Sequence, residues 1–94
     1  MFVLHIDLKV KVGQQQALEE TYLERFRPAT SVQEGFNAVR LLRSNEDDLN
    51  YRLALSFESQ ESQQKWVATD LHQVVWPAVA DQCVEFSVHR FSTV

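Results

Sequence analysis

The chain has 94 residues, 45 % of them hydrophobic and 11 % aromatic, with a formal net charge of −4. This acidic balance leaves no broad cationic surface, which argues against nucleic acid or anionic membrane as partners and favours a small organic ligand or another protein. At this length about 60 to 65 % of the unfolded surface can be buried, so residues 1–94 are expected to form one domain with a thin core that a partner subunit would help to stabilise.

The first predicted element is a strand over residues 2–12, where apolar and polar side chains alternate strictly. The polar positions include His5 and Asp7, and all of them fall on one face. Such alternation is typical of a strand that buries its other face. Gly13 ends the pattern.

A helix follows, because Leu18, Tyr22 and Phe26 recur at four-residue steps. This spacing places them along one stripe of a helix surface. Pro28 is expected to end the helix or to follow soon after its end, since proline cannot donate the intrahelical hydrogen bond.

Gly35 precedes a second extended run over residues 36–43, and the polar residues 44–50 separate it from a third run over residues 51–57. This order predicts a hairpin with a long, solvated loop. The residues expected to share the buried face of the third strand are Tyr51, Leu53, Leu55 and Phe57.

Two helical pieces are predicted next. Ser59 can cap the first, which runs through Trp66. Asp70 and Gln73 resemble a capping pair for the second, which is expected to start near residue 71. Pro77 should kink or shorten that second piece.

Residues 84–89 alternate again and predict a fourth strand that continues towards the C-terminus. The order strand, helix, strand, strand, helix, strand predicts an α+β fold: a ferredoxin-like βαββαβ antiparallel sheet with both helices on one face. The other face of that sheet would be bare. The residues expected on it are Val3, His5, Val39, Leu41 and Phe91.

This mixture is too apolar for a fully wet surface and too polar for the core of a monomer. A second copy of the sheet, packed face to face across a two-fold axis, would cover it and close a dimeric α/β barrel. The sequence therefore predicts a homodimer through the sheet face.

Three short motifs resemble the antibiotic biosynthesis monooxygenase family. They are Glu-Gly-Phe at residues 34–36, Phe-Glu-Ser at residues 57–59, and Glu61 and Ser62 followed by Trp66. The resemblance implies a dimeric α+β barrel. Members of this family include quinone-forming monooxygenases that use no cofactor, quinol monooxygenases, haem-degrading enzymes and enzymes that degrade signal molecules.

Comparison with two branches of this family narrows the function. The haem-degrading branch has an asparagine in the first strand, a tryptophan, and an axial histidine ten residues later. Trp66 matches, but Ile6 and Trp76 occupy the other two positions, so the iron ligand is missing and the resemblance argues against haem degradation. The quinol branch carries a histidine shortly after the helix that bears the tryptophan. In that branch the histidine is counted from the threonine or serine that closes the helix. Here that residue is Thr69, and His72 lies one position farther from it than the histidine of the branch does.

The expected activity is that of a monooxygenase without a cofactor, acting on a small aromatic, quinol or polyketide-like compound in an apolar cleft. Such a reaction needs a substrate that becomes an electron-rich anion, and a protein that removes its proton and excludes water. The catalytic candidates are Trp66, which would donate its indole N–H, and His72 or Arg40, which would handle charge. The residues expected to contact the substrate are Ile6, Leu8, Leu53, Leu55 and Trp76.

Each of these residues also has a simpler interpretation. Trp66 could be a core aromatic, His72 a solvated or capping residue, and Arg40 a surface cation unless its face matches that of Phe36. The whole chain could equally be a non-catalytic protein of the same fold that binds a hydrophobic ligand or only assembles.

No metal site is expected. His5, Asp7 and His89 lie on strands but lack the spacing of a known ligand set. Cys83 is the only cysteine, so no disulfide can form within the chain and the cytoplasm is the expected location. No apolar run reaches the length of a signal peptide or of a membrane span.

Overall fold

A computed structural model describes all 94 residues. The elements, in chain order, are β1 (Phe2–Val10), α1 (Gln15–Thr21), a π-helical turn (Tyr22–Phe26), α2 (Arg27–Ser31), β2 (Phe36–Arg43), β3 (Asn50–Phe57), α3 (Gln60–Val67), α4 (Asp70–Ala80) and β4 (Cys83–Ser92). The strands pair antiparallel in the order β2-β3-β1-β4. The helices cover one face of this sheet, so the predicted α+β ferredoxin-like fold is confirmed. No helix combines the length and the apolar character needed to cross a membrane.

One hydrophobic core fills the space between the sheet and the helices. Alternate residues of β1 and β3 supply its floor, and the predicted buried faces of both strands are confirmed. Strand β1 ends two residues earlier than predicted. Val12 lies beyond its end and is 84 % exposed. The helical side chains that close the core from above include Leu18, Tyr22, Phe26, Trp66, Val75 and Val79. Full burial of one such apolar side chain stabilises a fold by about 1.5–3 kcal/mol.

The first helical segment continues past Pro28, so the prediction that it ends there was wrong. The backbone N–H of Arg27 donates to the carbonyl oxygen of Tyr22, five residues earlier, which is the widened hydrogen bond of a π-helical turn. Helix α2 begins immediately after that turn, so Pro28 lies in its first turn. Proline is compatible with the first turn of a helix because its fixed φ is already that of a helix.

The hydroxyl of Thr69 links the end of α3 to the start of α4. The hydroxyl of Thr69 accepts a hydrogen bond from the backbone N–H of His72 at 3.1 Å and donates one to the carbonyl of Trp66 at 2.7 Å. The cap of α4 is therefore Thr69, whereas the sequence pattern favours Asp70. Pro77 does not shorten α4, which continues to Ala80. The predicted cap of α3 is confirmed, since the hydroxyl of Ser59 accepts from a backbone N–H of its first turn.

A β-bulge in β2 changes which of its side chains face the helices. The pairing of β2 with β3 shifts between Phe36 and Ala38. Beyond the shift, Val39 and Leu41 lie opposite the buried leucines of β3 and pack against the core. The prediction that these two residues lie on the bare face was wrong. Arg40, between them, points to the bare face.

The sheet face opposite the helices has an ionic cluster beside an apolar patch. The carboxylate of Asp7 accepts a hydrogen bond from Nε of Arg52 at 2.7 Å and lies 3.3 Å from Nε2 of His89. The Arg52 guanidinium holds the pKa of Asp7 below its usual value. Next to this cluster the ring of His5 lies edge-on to that of Phe91, with centroids 5.3 Å apart. No helix of the chain covers this face.

Candidate functional site

A cleft of about 150 Å³ opens between the sheet and the two helices α3 and α4. Its lining is mostly apolar and comes from both layers of the fold. The apolar residues that form its floor and back wall are Leu4, Ile6, Phe26, Leu55, Val67 and Val88. An apolar cavity of about this volume can hold a ligand as small as benzene.

Trp66 forms one wall of the cleft. It lies in α3, where the ring is only 2 % exposed and the indole stands edge-on to Phe26 at a centroid distance of 6.1 Å. The indole N–H donates to no group of the chain, although a buried indole normally finds a hydrogen-bond acceptor. This donor is therefore free for a molecule that enters the cleft.

His72 forms the adjoining wall, and its ring meets Trp66 edge-on at a centroid distance of 5.0 Å. It is half-buried, and this burial lowers its pKa below the usual 6.5 because the charged imidazolium loses hydration. The imidazole is consequently neutral at pH 7 and can accept a proton. The lining contains no carboxylate, so His72 is the one side chain of the cleft that can act as a base at neutral pH.

Trp76 closes the cleft on the side where α4 approaches β4. Its ring stacks against His72, with centroids 6.5 Å apart and planes inclined by 19°. On its far side it meets Phe86 edge-on at 5.1 Å. Trp66, His72, Trp76 and Phe86 thus form a continuous row of aromatic rings.

Two further polar residues line the cleft, and neither was predicted from the sequence. Gln63 is 9 % exposed, and its side-chain amide makes no hydrogen bond within the chain. It precedes Trp66 by three residues, and this spacing on a helix was a signal that both side chains share a face. Arg90 lies opposite Leu4 and therefore faces the helices. It continues the alternation of Phe86 and Val88 by one more step.

The predicted site residues fall into two groups. Trp66, His72, Ile6, Leu55 and Trp76 all line the cleft. Leu53 and Leu8 do not, since both are buried elsewhere in the core. Arg40 lies on the opposite face of the sheet, so the cation that borders the cleft is Arg90.

The largest depression on the molecule lies elsewhere, at the end of the sheet near Asp7 and Lys9. It has a volume of about 650 Å³, but it is open and most of its lining is polar. Ligand sites in proteins are usually more enclosed and more apolar. Nowhere do three or more histidine, cysteine or acidic side chains come together to hold a metal ion.

Several solved structures have the same fold. SnoaB, a cofactor-independent oxygenase from Streptomyces nogalater, superposes with a TM-score of 0.90 at 16 % identity, covering 98 % of this chain and 91 % of that one. A candidate antibiotic biosynthesis monooxygenase from Bordetella bronchiseptica has a TM-score of 0.87 at 22 % identity, over 99 % and 97 % of the two chains. One from Nitrosomonas europaea has a TM-score of 0.87 at 17 % identity, covering 100 % of this chain and 99 % of that one.

At these identities the structural matches show the fold alone. Curated protein sequences provide no match to this chain. The sequence profile of one protein family does match, over residues 1–75, and it confirms the resemblance that the short motifs suggested. The chain belongs to the antibiotic biosynthesis monooxygenase family.

Proposed function

We propose that this protein is a monooxygenase that uses no cofactor and oxidises a small aromatic or quinol-type compound bound in the cleft. One observation carries the proposal: the only base of the cleft, His72, adjoins the unpaired indole N–H of Trp66 in an apolar environment. Proton removal and stabilisation of negative oxygen are the two tasks that such a reaction asks of a protein.

In the proposed reaction a hydroxyl group of the substrate gives its proton to the neutral imidazole of His72. The resulting anion is electron-rich and supplies electrons to dioxygen, which attaches to a carbon of the substrate as a peroxide. The proton on His72 then returns to the peroxide. One oxygen atom stays on the substrate and the other leaves as water, so the substrate itself is the reductant.

The remaining polar groups of the cleft stabilise charge on oxygen. The indole N–H of Trp66 and the side-chain amide of Gln63 are free to donate to the substrate oxygen or to the peroxide. Arg90, at the β4 side, offers a positive charge to the anionic substrate in the role predicted for Arg40. The apolar floor keeps water away, which strengthens each of these interactions.

Oxygen uptake tests this proposal. The protein, treated with a chelator, is mixed with a panel of hydroquinones and anthrones in an oxygen electrode. We expect uptake that is lost in His72→Gln and kept in Gln64→Ala, a change on the solvent side of α3. Binding of these compounds without any uptake would reject the oxygenase and favour a protein that only binds hydrophobic ligands.

We further propose that the protein is a homodimer formed through the bare sheet face. The mixture on that face of the apolar Val3 and Phe91 with the paired charges of Asp7 and Arg52 supports this, because an exposed patch of this kind is uncommon on a monomer. Light scattering during size exclusion should give twice the chain mass. Phe91→Glu should give the monomer, whereas Val32→Glu, on an exposed position beside the helices, should remain dimeric.

A further inference from the structure

We propose that Trp76 sets the substrate size of this cleft and restricts it to compounds with a single aromatic ring. The inference rests on the proposed function, because it assigns the substrate class of the same site. It depends on three features of the cleft: its volume, the mobility allowed to each wall, and the position of the polar groups.

The volume admits one ring. The cleft holds about 150 Å³. An apolar cavity of about that volume, made in another protein by truncating a leucine, binds benzene. A second fused ring needs space that this cleft does not contain. Quinol-type compounds with one ring therefore fit, and fused anthrones do not.

Most of the walls cannot retreat to make room. Trp66, Phe26 and Leu55 are buried in the close-packed core, and moving any of them would disturb many neighbours. Trp76 differs, because among the tryptophan and phenylalanine residues of the wall it alone is only partly buried, and it packs at the margin of the core. Behind it lies Phe86, a half-exposed ring of β4 that does not itself line the cleft. Trp76 is thus the partition between the cleft and the space in front of Phe86.

The polar groups also favour a small substrate. The base His72 contacts both Trp66 and Trp76, so a ring held between these walls has its hydroxyl next to the imidazole. For a one-ring hydroquinone the reaction balances without another reductant, because one hydroquinone and one dioxygen give one hydroxyquinone and one water. A new carbon–oxygen bond forms at one ring carbon, and the hydrogen of that carbon leaves with the second oxygen atom.

Nitrogen-15 NMR measures the binding directly. The chain has two tryptophans, so a Trp76→Leu variant leaves one indole N–H signal, that of Trp66 in the cleft wall. The ligands are phenol, 2-naphthol and 2-anthrol, titrated in oxygen-free buffer so that none is oxidised. The control variant is Val74→Ala, which alters an exposed side chain of the same helix.

In the wild type and in Val74→Ala we expect phenol to bind at least about tenfold more tightly than 2-anthrol, a ratio within the range that a hydrophobic pocket can achieve by size. In Trp76→Leu the order should reverse, because the larger compound gains apolar contact in the widened cleft. Trp76→Phe, which keeps a smaller ring, should accept 2-naphthol but not 2-anthrol. It also keeps the test valid if the leucine variant does not fold.

Wild-type protein that binds 2-anthrol as tightly as phenol would overturn the proposal, and so would an unchanged preference in both Trp76 variants. These outcomes are independent of the oxygenase proposal, because the titration measures binding without oxygen. If the protein selects phenol but consumes no oxygen, the proposed oxygenase activity is rejected and the proposed role of Trp76 is kept.

Discussion

The imidazole ring of His72 stands edge-on to the indole ring of Trp66, with centroids 5.0 Å apart and planes at 87°. The two residues belong to different helices, and the hydroxyl of Thr69 joins them by bonding to the backbone of each. The imidazole and the indole that line the cleft are therefore held together by the turn between α3 and α4. Such fixed support is what a site needs to be in working geometry before its substrate arrives.

Replacing Trp66 with phenylalanine distinguishes the effect of the indole N–H donor from the effect of the packing of the ring. The ring that fills the wall is largely kept, so stability should fall by less than about 1.5 kcal/mol. The indole N–H is lost, and oxygen uptake should fall by roughly 100-fold, as on removal of one oxyanion donor. Urea unfolding and an oxygen electrode measure the two quantities. A fall in oxygen uptake no larger than the fall in the folded fraction of the protein would instead indicate a core residue without a role in the reaction.

The lowered pKa of His72 predicts a particular pH profile. Because the neutral imidazole is the proposed base, the midpoint of the acid limb of kcat/KM should lie below 6.5, the usual pKa of histidine. His72→Gln should lose this acid limb together with most of the activity. An acid limb centred above 6.5 would contradict the assignment, since burial moves the pKa of a histidine downwards.

The same shift affects stability, and its sign follows from proton binding. At a pH between the lowered pKa of folded His72 and the usual 6.5, the unfolded chain binds a proton that the folded chain does not. The contribution of neutral His72 to stability is therefore complete above 6.5, decreases as the pH falls through that interval, and changes no further below it. Urea denaturation of the wild type and of His72→Gln across this range should show a smaller dependence on pH in the variant.

Thr69→Ala should reduce both stability and activity. The lost cap costs about 1 kcal/mol, and the released turn lets His72 move relative to Trp66. Ser59→Ala is the matched control, because it removes the cap of α3 and leaves this turn intact. We expect a similar loss of stability in both variants, with a fall in kcat only for Thr69→Ala. Thr69→Ser should restore both properties.

The two glycines of the chain provide a paired test of local packing. Both have positive φ, +84° at Gly13 and +77° at Gly35, which disfavours any side chain. A Cβ at Gly13 would meet nothing, whereas one at Gly35 would lie 2.6 Å from the Cβ of Ser62 in α3. Gly13→Ala should therefore cost about 1 kcal/mol, and Gly35→Ala more than twice that, by thermal unfolding. Equal losses would show that α3 is free to move away from Gly35.

Local alternation was enough to predict the buried faces of β1 and β3, because each pairs over its length without an interruption at its centre. It failed for β2, where the bulge after Phe36 reverses the faces and turns Arg40 away from the cleft. A bulge depends on how two strands align with each other, and one strand's own sequence does not reveal that alignment. Arg90 was overlooked although it continues the alternation of β4.

The cleft itself was predicted in part. Trp66 was found through its family motif, and Ile6 and Leu55 through their buried faces. The direction of His72 was not predictable, because it depends on where α4 begins. Asp70 and Thr69 are both good capping residues, and the hydrogen bonds of Thr69 decide between them.

The π-helical turn determines how this protein tolerates changes in chain length. In a regular α-helix, side chains at four-residue steps drift around the axis by about 40° per step, so Leu18 and Thr30 would point in clearly different directions. The wider turn absorbs part of that drift, and both residues are fully buried. Deleting one residue from this turn would give a shorter, regular helix in which eleven steps separate Leu18 from Thr30, and these steps bring the two side chains back to within about 20° of each other. The helix can therefore lose this one residue without turning Leu18 or Thr30 out of the core, and relatives with a regular helix here should be one residue shorter between these two positions.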